Sequence, residues 1–219
     1  DKYGGQHLSA QEASSVLTQI SSKNPSLGVT VMVPNSLGPG ELISNYGTQT
    51  QKDTYLPKLA DGTFIPCFGL TGPNNGSDAL GSIDKGKIIK KADGKLYIKA
   101  TVNKRYITLA PIANLVGLAI NLEDPDNLLV NQEAGITVLL VEKDKSTLNM
   151  TSHHNPLNVG FPNGTVKGTI EVPLDSVIGG PEKIGQGWKM LMECLAAGRG
   201  ICLPATANAS SKVCTYGIF

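Results

Sequence analysis

The chain has 219 residues, enough to bury a sizeable core as one large domain or two small ones. Its 19 Lys and Arg nearly balance 18 Asp and Glu, and a net charge of +1 excludes a general electrostatic nucleic-acid binder. At 40% hydrophobic, with 25 Gly and 13 Pro, the composition is that of a globular protein rich in turns, neither disordered nor membranous.

No apolar run approaches the roughly 20 residues that cross a bilayer; the longest, 112–120, is interrupted by Asn114. Asp1-Lys2-Tyr3-Gly4-Gly5 has no basic-then-apolar signal pattern. Cys67, Cys194, Cys202 and Cys214 are widely spaced, without a CxxC pair. A domain of this size needs no disulfide staples, so a reduced, cytoplasmic chain is expected.

The first part, 1–62, has helical signals. Ser9-Ala10-Gln11-Glu12 suits an N-cap with a capping box, followed by a stripe of Ala13, Val16, Leu17 and Ile20. A short apolar stretch, 27–33, ends at Pro34. Gly38-Pro39-Gly40 punctuates before a short helix over 41–46, and Thr48 caps another that Asp61-Gly62 closes.

From 63 to 182 the period changes to strands. Short segments at 67–71, 87–90, 95–102, 114–121, 136–142 and 165–172 are separated by Asn, Asp, Gly and Pro clusters. That spacing predicts an antiparallel barrel or sandwich, and the lack of alternating helices excludes a doubly wound parallel sheet. From 183 to 219 the signals are helical again. Met190, Leu191, Cys194 and Leu195 share a face, and a second helical stretch follows Pro204. The fold class is therefore α+β, a central β-domain flanked by helical segments. The missing start signal and the unfinished last helix suggest an excised or truncated chain.

Two segments can carry chemistry. In Cys67-Phe68-Gly69-Leu70-Thr71-Gly72-Pro73-Asn74-Asn75-Gly76-Ser77-Asp78 a strand ends in a Gly- and Asn-rich loop. Its backbone N–H groups can face an anion, with Gly76 allowing close approach and Ser77 adding a donor. A plain hairpin connection explains the same residues. In Asn103-Lys104-Arg105-Tyr106-Ile107-Thr108, Tyr106 offers a flat face and Thr108 a hydroxyl one pleat further along the same side. An aromatic packed in the core is the plainer alternative.

Taken together, the two segments resemble the flavin-contacting motifs of the acyl-CoA dehydrogenase family, the Leu-Thr-Glu-Pro…Gly-Ser-Asp loop and the Trp-Ile-Thr segment. The resemblance continues through Gly135-Ile136-Thr137-Val138-Leu139-Leu140-Val141, His154-Asn155-Pro156-Leu157-Asn158-Val159 and Val172-Pro173-Leu174-Asp175-Ser176-Val177-Ile178-Gly179-Gly180. It extends into Gly185-Gln186-Gly187-Trp188 and on to Ala197-Gly198-Arg199-Gly200, similar to the start of the family's C-terminal helical domain. It covers nearly the whole chain and is closest to the large bacterial members that serve fatty-acid β-oxidation. Gly72 stands where the loop usually has Glu, and Tyr106 replaces the usual Trp.

The resemblance implies a fragment of an FAD-dependent enzyme that dehydrogenates acyl-CoA thioesters across the α,β bond. A carboxylate takes the α-proton and the β-hydride goes to the flavin. Phe68, Gly69, Leu70, Thr71, Gly76 and Ser77 would line the flavin with Tyr106, Ile107 and Thr108. Thr71 and Thr108 would bond its ring system, Ser77 its pyrophosphate or the substrate, and Arg199 would contact the acyl-CoA. No catalytic base is assigned, because Gly198 occupies a position where some members carry it; the base is expected outside the fragment, which alone would be inactive. Electron-transfer flavoprotein or another acceptor, and a homo-oligomer of the full protein, are the implied partners. A non-catalytic flavin-fold module and a relative with flavin oxidase or monooxygenase chemistry are the alternatives. His153-His154 as metal ligands, the four Asn-x-Ser/Thr sites as glycosylation acceptors and Trp188 as a stacking platform all yield to blander readings.

Overall fold

The structure, a computed structural model, describes residues 2–36, 38–81, 83–130 and 132–217. Helix α1 (Ala10–Lys23) starts where the capping box requires: Ser9 Oγ accepts the Glu12 N–H at 3.3 Å, and Glu12 Oε2 accepts the Ser9 N–H at 2.8 Å. Helix α2 (Pro25–Ser36) runs on past Pro34, and α3 (Pro39–Tyr46) begins with proline in its first turn. Helix α4 (Gln49–Ala60) has a second capping box, Thr48 with Gln51.

Gln51 does more than cap. Its Oε1 accepts the Thr48 and Gly179 N–H groups at 3.1 and 3.0 Å, while Nε2 donates to the Asp175 and Val177 carbonyls at 3.0 and 2.7 Å. This buried amide thereby joins α4 to the segment that closes the barrel.

The strands are β1 (Pro66–Gly69), β2 (Lys85–Lys90), β3 (Leu96–Thr108), β4 (Leu115–Glu123), β5 (Ile136–Glu142) and β6 (Asn163–Pro173). They form one sheet in the order β1-β4-β2-β3-β6, with β5 on the other side of β4. The Leu139–Val177 bridge and the Ile178 N–H bonded to Val138 O at 2.9 Å nearly close it into a barrel. The sheet is mixed: β1 and β2 both run parallel to β4 along one edge. The expected antiparallel pairing holds for β2 with β3, β3 with β6, and β4 with β5.

Strand β4 is buried on both faces because it divides two cores. Val116, Leu118 and Ile120 point into the barrel, whereas Leu115 and Ala119 meet Leu42, Ile43 and Leu191 beneath the helices. Strand β5 alternates in the same way, with Leu139 and Val141 inside and Val138 and Leu140 outside. Each fully buried aliphatic side chain contributes about 1.5–3 kcal/mol relative to exposure.

The last helix, α5 (Gly187–Tyr216), is a single helix of 30 residues with Pro204 inside it, not two stretches divided at Pro204. It packs chiefly on α1 and α2, and those tertiary contacts offset what an internal proline costs.

Candidate cofactor site

Strand β1 leaves the edge of β4 at Leu118, and β2 rejoins that edge at Asn121. Residues 70–81, with 83 and 84, are therefore an excursion away from the sheet, anchored at both ends. At the near end the Arg105 N–H bonds Thr71 O at 3.0 Å, and Lys104 Nζ bonds Leu70 O at 3.2 Å. At the far end Asp84 Oδ2 accepts the Asn103 N–H at 3.1 Å and pairs with Lys104 Nζ at 3.0 Å. The two segments singled out by sequence thus lie side by side.

Lys104 has no exposed side-chain surface. Burial lowers its pKa, and the Asp84 carboxylate opposes that shift. Its stem lies over Gly69, where a Cβ would come within 3.0 Å of Lys104 Cγ and 2.9 Å of Leu118 Cδ2. Within the loop, buried Asn75 is the organiser. Its Oδ1 accepts the Gly72 N–H at 2.6 Å, and its Nδ2 donates to the carbonyls of Leu70 and Ala79, both at 3.3 Å. Sequence reasoning gave neither Asn75, quoted only as part of the loop, nor Lys104 a role; an ionisable residue inside a strand that otherwise alternates was the signal for the second.

The expected contact residues separate by environment. Phe68 and Leu70 turn into the core under the helices, Gly69 is covered by Lys104, and Ile107 points into the barrel. Gly76 and Ser77 are exposed at the loop tip, with open space where a Gly76 Cβ would stand. Thr71 and Thr108 are half-buried, and the hydroxyls of Thr71, Ser77 and Thr108 make no hydrogen bond with a described residue.

Tyr106 sits at a bulge, where the β3–β6 register shifts between Lys104 and Ile107, and its φ of 57° lies in the left-handed region. The bulge, rather than a regular pleat, leaves both Arg105 and Tyr106 exposed while Ile107 is buried. The Arg105 guanidinium lies 4.6 Å from the Tyr106 ring centroid and donates to its hydroxyl at 3.1 Å. On the same ring, His154 packs with centroids 5.0 Å apart, and its Nε2 is 2.8 Å from Thr165 Oγ1. Sequence reasoning placed His154 in a segment resembling the family and weighed it as a metal ligand, but gave it no contact with Tyr106; among the described residues no group of His, Cys, Asp and Glu could hold a metal.

Asn163 lies opposite Thr108 in the β3–β6 ladder and is 3% exposed, yet its Oδ1 has no hydrogen-bond partner. Arg199 is exposed within α5, whose main neighbours are α1, α2, α3 and β5, not β1 or β3. No described residue bonds or pairs with it. A cleft of about 350 Å3 lies elsewhere, between α4 and the ends of β5 and β6, lined by Tyr55, Glu142 and Asp175.

Helices over a nearly closed barrel with this excursion on its edge define the architecture of a known class. The family described as acyl-CoA dehydrogenase, N-terminal domain, matches residues 1–63. Over 202 residues the chain is 30% identical to the probable acyl-CoA dehydrogenase YngJ of Bacillus subtilis, covering 91% of this chain and 50% of that protein. It is 47% identical to protein HemX of Proteus mirabilis over 96 residues, 43% of this chain and 56% of that one. The crystal structure of an acyl-CoA dehydrogenase complexed with FAD, from Bacillus anthracis, has the same fold, with a TM-score of 0.79 at 23% identity over 96% of this chain and 34% of that one. The chain is related to the acyl-CoA dehydrogenases and matches their N-terminal and middle parts. It spans between about a third and just over half of the length of these relatives. No described helix is long and apolar enough to cross a membrane.

The patch around the loop fits a flavin on its own chemistry. It offers open space at Gly76, three hydroxyls with no partner among the described residues, a half-exposed ring and, opposite Thr108 on β6, a buried carboxamide oxygen that no described residue bonds.

Proposed function

We propose that this chain is the flavin-holding part of an FAD-dependent acyl-CoA dehydrogenase that oxidises acyl-CoA thioesters across the α,β bond in fatty-acid β-oxidation. The observation that carries the reading is the Arg105–Thr71 backbone bond, which sets the 70–81 loop beside Tyr106 and Thr108. When bound, the flavin supplies the two-electron acceptor; the chain supplies position and electrostatics.

In this reading Tyr106 gives the planar cofactor a flat face, and the hydroxyls of Thr71 and Thr108 bond its ring system. The loop backbone as far as Ser77 follows the cofactor, and the Ser77 hydroxyl donates to a pyrophosphate oxygen or to the substrate. Lys104 and Asn75 hold the loop in the shape that presents these groups. Arg199 orients the acyl-CoA through its fixed fork of donors. No carboxylate of this chain is assigned as the base. Electron-transfer flavoprotein or another acceptor, a homo-oligomer of the whole protein and a cytoplasmic location complete the proposal; the free cysteines support the location.

The test is titration of the purified protein with FAD, followed by the visible absorption and fluorescence quenching of bound flavin. Ser77→Ala is expected to weaken binding of flavin or acyl-CoA by about 1–3 kcal/mol, as loss of a hydrogen bond to a charged group does. Absence of flavin binding by the unmodified protein overturns the reading.

A further inference from the structure

Asn163 is the first residue of β6 and stands directly opposite Thr108 on β3. Directly opposed residues of an antiparallel pair project to the same face, so the carboxamide shares the face of Thr108. Thr165 lies on that face too, one pleat along, and its hydroxyl holds the His154 ring that packs on Tyr106. Asn163 therefore belongs to the patch around Tyr106, not to the apolar interior of the barrel.

Its backbone carbonyl is engaged there: Asn163 O accepts the His154 N–H at 2.6 Å. Its side chain is not. Oδ1 is buried without a partner, in a residue only 3% exposed. Native proteins leave few buried polar groups in that state, because the group has lost its water and gained nothing in return. A leucine would fill the same volume without the cost. A carboxamide that stays at such a position is best explained by a bond that forms only when something is bound. Asparagine offers one acceptor and two donors on a single plane, which complements a flat ligand edge that alternates carbonyl and N–H groups. The pyrimidine side of a flavin ring system is such an edge.

We infer that Asn163 is a further ligand-binding residue of this site, its carboxamide meeting the polar edge of the flavin that packs on Tyr106. The inference rests on the flavin reading above and adds a contact on β6 to those on the loop and on β3.

The experiment compares the purified protein with Asn163→Leu and Tyr106→Ala, measuring melting temperature without ligand and affinity for FAD by flavin absorption. For Asn163→Leu the expected result is an unchanged or higher melting temperature together with at least tenfold weaker FAD binding. A purely structural asparagine gives the opposite pattern, a lower melting temperature with unchanged affinity, and overturns the inference. If only Tyr106→Ala weakens binding, the Asn163 inference falls and the flavin reading stands. If neither variant weakens it, or the unmodified protein binds no FAD, the flavin reading falls and takes the inference with it. Should the leucine variant not fold, Asn163→Asp decides, since it exchanges the donor for an acceptor in the same shape. Weaker binding at the native melting temperature then supports the contact, and native affinity overturns it.

Discussion

Lys104 and Asp84 pair at 3.0 Å beneath the loop, the lysine wholly buried and the carboxylate about one-fifth exposed. The two partners are unequal, and substitution should reveal it. Asp84→Asn strips the counter-charge from a buried ammonium, which costs about 3–5 kcal/mol. Lys104→Met removes the charge but keeps most of the stem over Gly69, and it leaves a carboxylate that still reaches water and the Asn103 N–H. Its cost is expected at about 1–3 kcal/mol. Urea unfolding of the two variants measures the difference, and equal losses would show that the buried charge is not what the pair stabilises.

Tyr55 donates to Glu142 Oε1 at 3.1 Å, and its pKa is pushed up to about 12, by burial first and by the Glu142 charge second. A folded pKa above the unfolded value means stability that is complete below about pH 10 and lost as pH rises towards 12. Tyr55→Phe loses the hydrogen bond at neutral pH, about 0.5–1.5 kcal/mol, but has no hydroxyl to titrate. The stability gap between the two proteins should therefore shrink between pH 10 and 12. A gap independent of pH across that range would contradict the assignment.

His154 is held by Thr165 and in turn supports the Tyr106 ring. His154→Ala should lower stability by about 0.5–1.5 kcal/mol, the usual worth of an aromatic pair beyond its buried area. His154→Phe should recover most of that loss, because ring packing does not depend on Nε2. If phenylalanine does no better than alanine in chemical denaturation, the Thr165 bond rather than the ring contact is what matters.

Arg199 lies well inside α5, so the favourable end of the helix dipole is not available to it. With its side chain exposed, Arg199→Lys should change stability by less than about 0.5 kcal/mol. Under the function proposed above, dehydrogenase activity of the whole protein should nevertheless fall at least roughly tenfold, about 1.4 kcal/mol, since lysine cannot reproduce the planar fork. Native turnover by the lysine variant would remove Arg199 from the substrate site.

Local chemistry was legible wherever neighbours in sequence are also neighbours in space. The Ser9–Glu12 and Thr48–Gln51 capping boxes needed only their spacing, and strand 136–142 was bounded by Gly135 and the charged run after Val141. The loop and the Tyr106 segment were recognisable by motif, although which residues face outward was not. That depends on a bulge at Tyr106 and on a lysine inserted over Gly69, both set by β6 and by Asp84 from elsewhere in the chain. The mixed sheet was hidden because parallel pairing of β1 and β2 with β4 leaves no mark in the local alternation. Pro204 misled for a related reason: a local helix breaker was outweighed by packing against α1 and α2. His154 and Asn163 acquire their surroundings only when β6 pairs with β3.

The four hydrogen bonds of Gln51 bind the start of one helix to the stretch that follows the last strand. Both ends of one carboxamide grip that stretch, Nε2 on the Asp175 and Val177 carbonyls and Oε1 on the Gly179 N–H, so the two elements are coupled through a single side chain. The helices and the barrel should therefore exchange their amide protons as one cooperative unit, with the slow-exchanging boundary running through residues 175–179 and not along the junction between helices and strands.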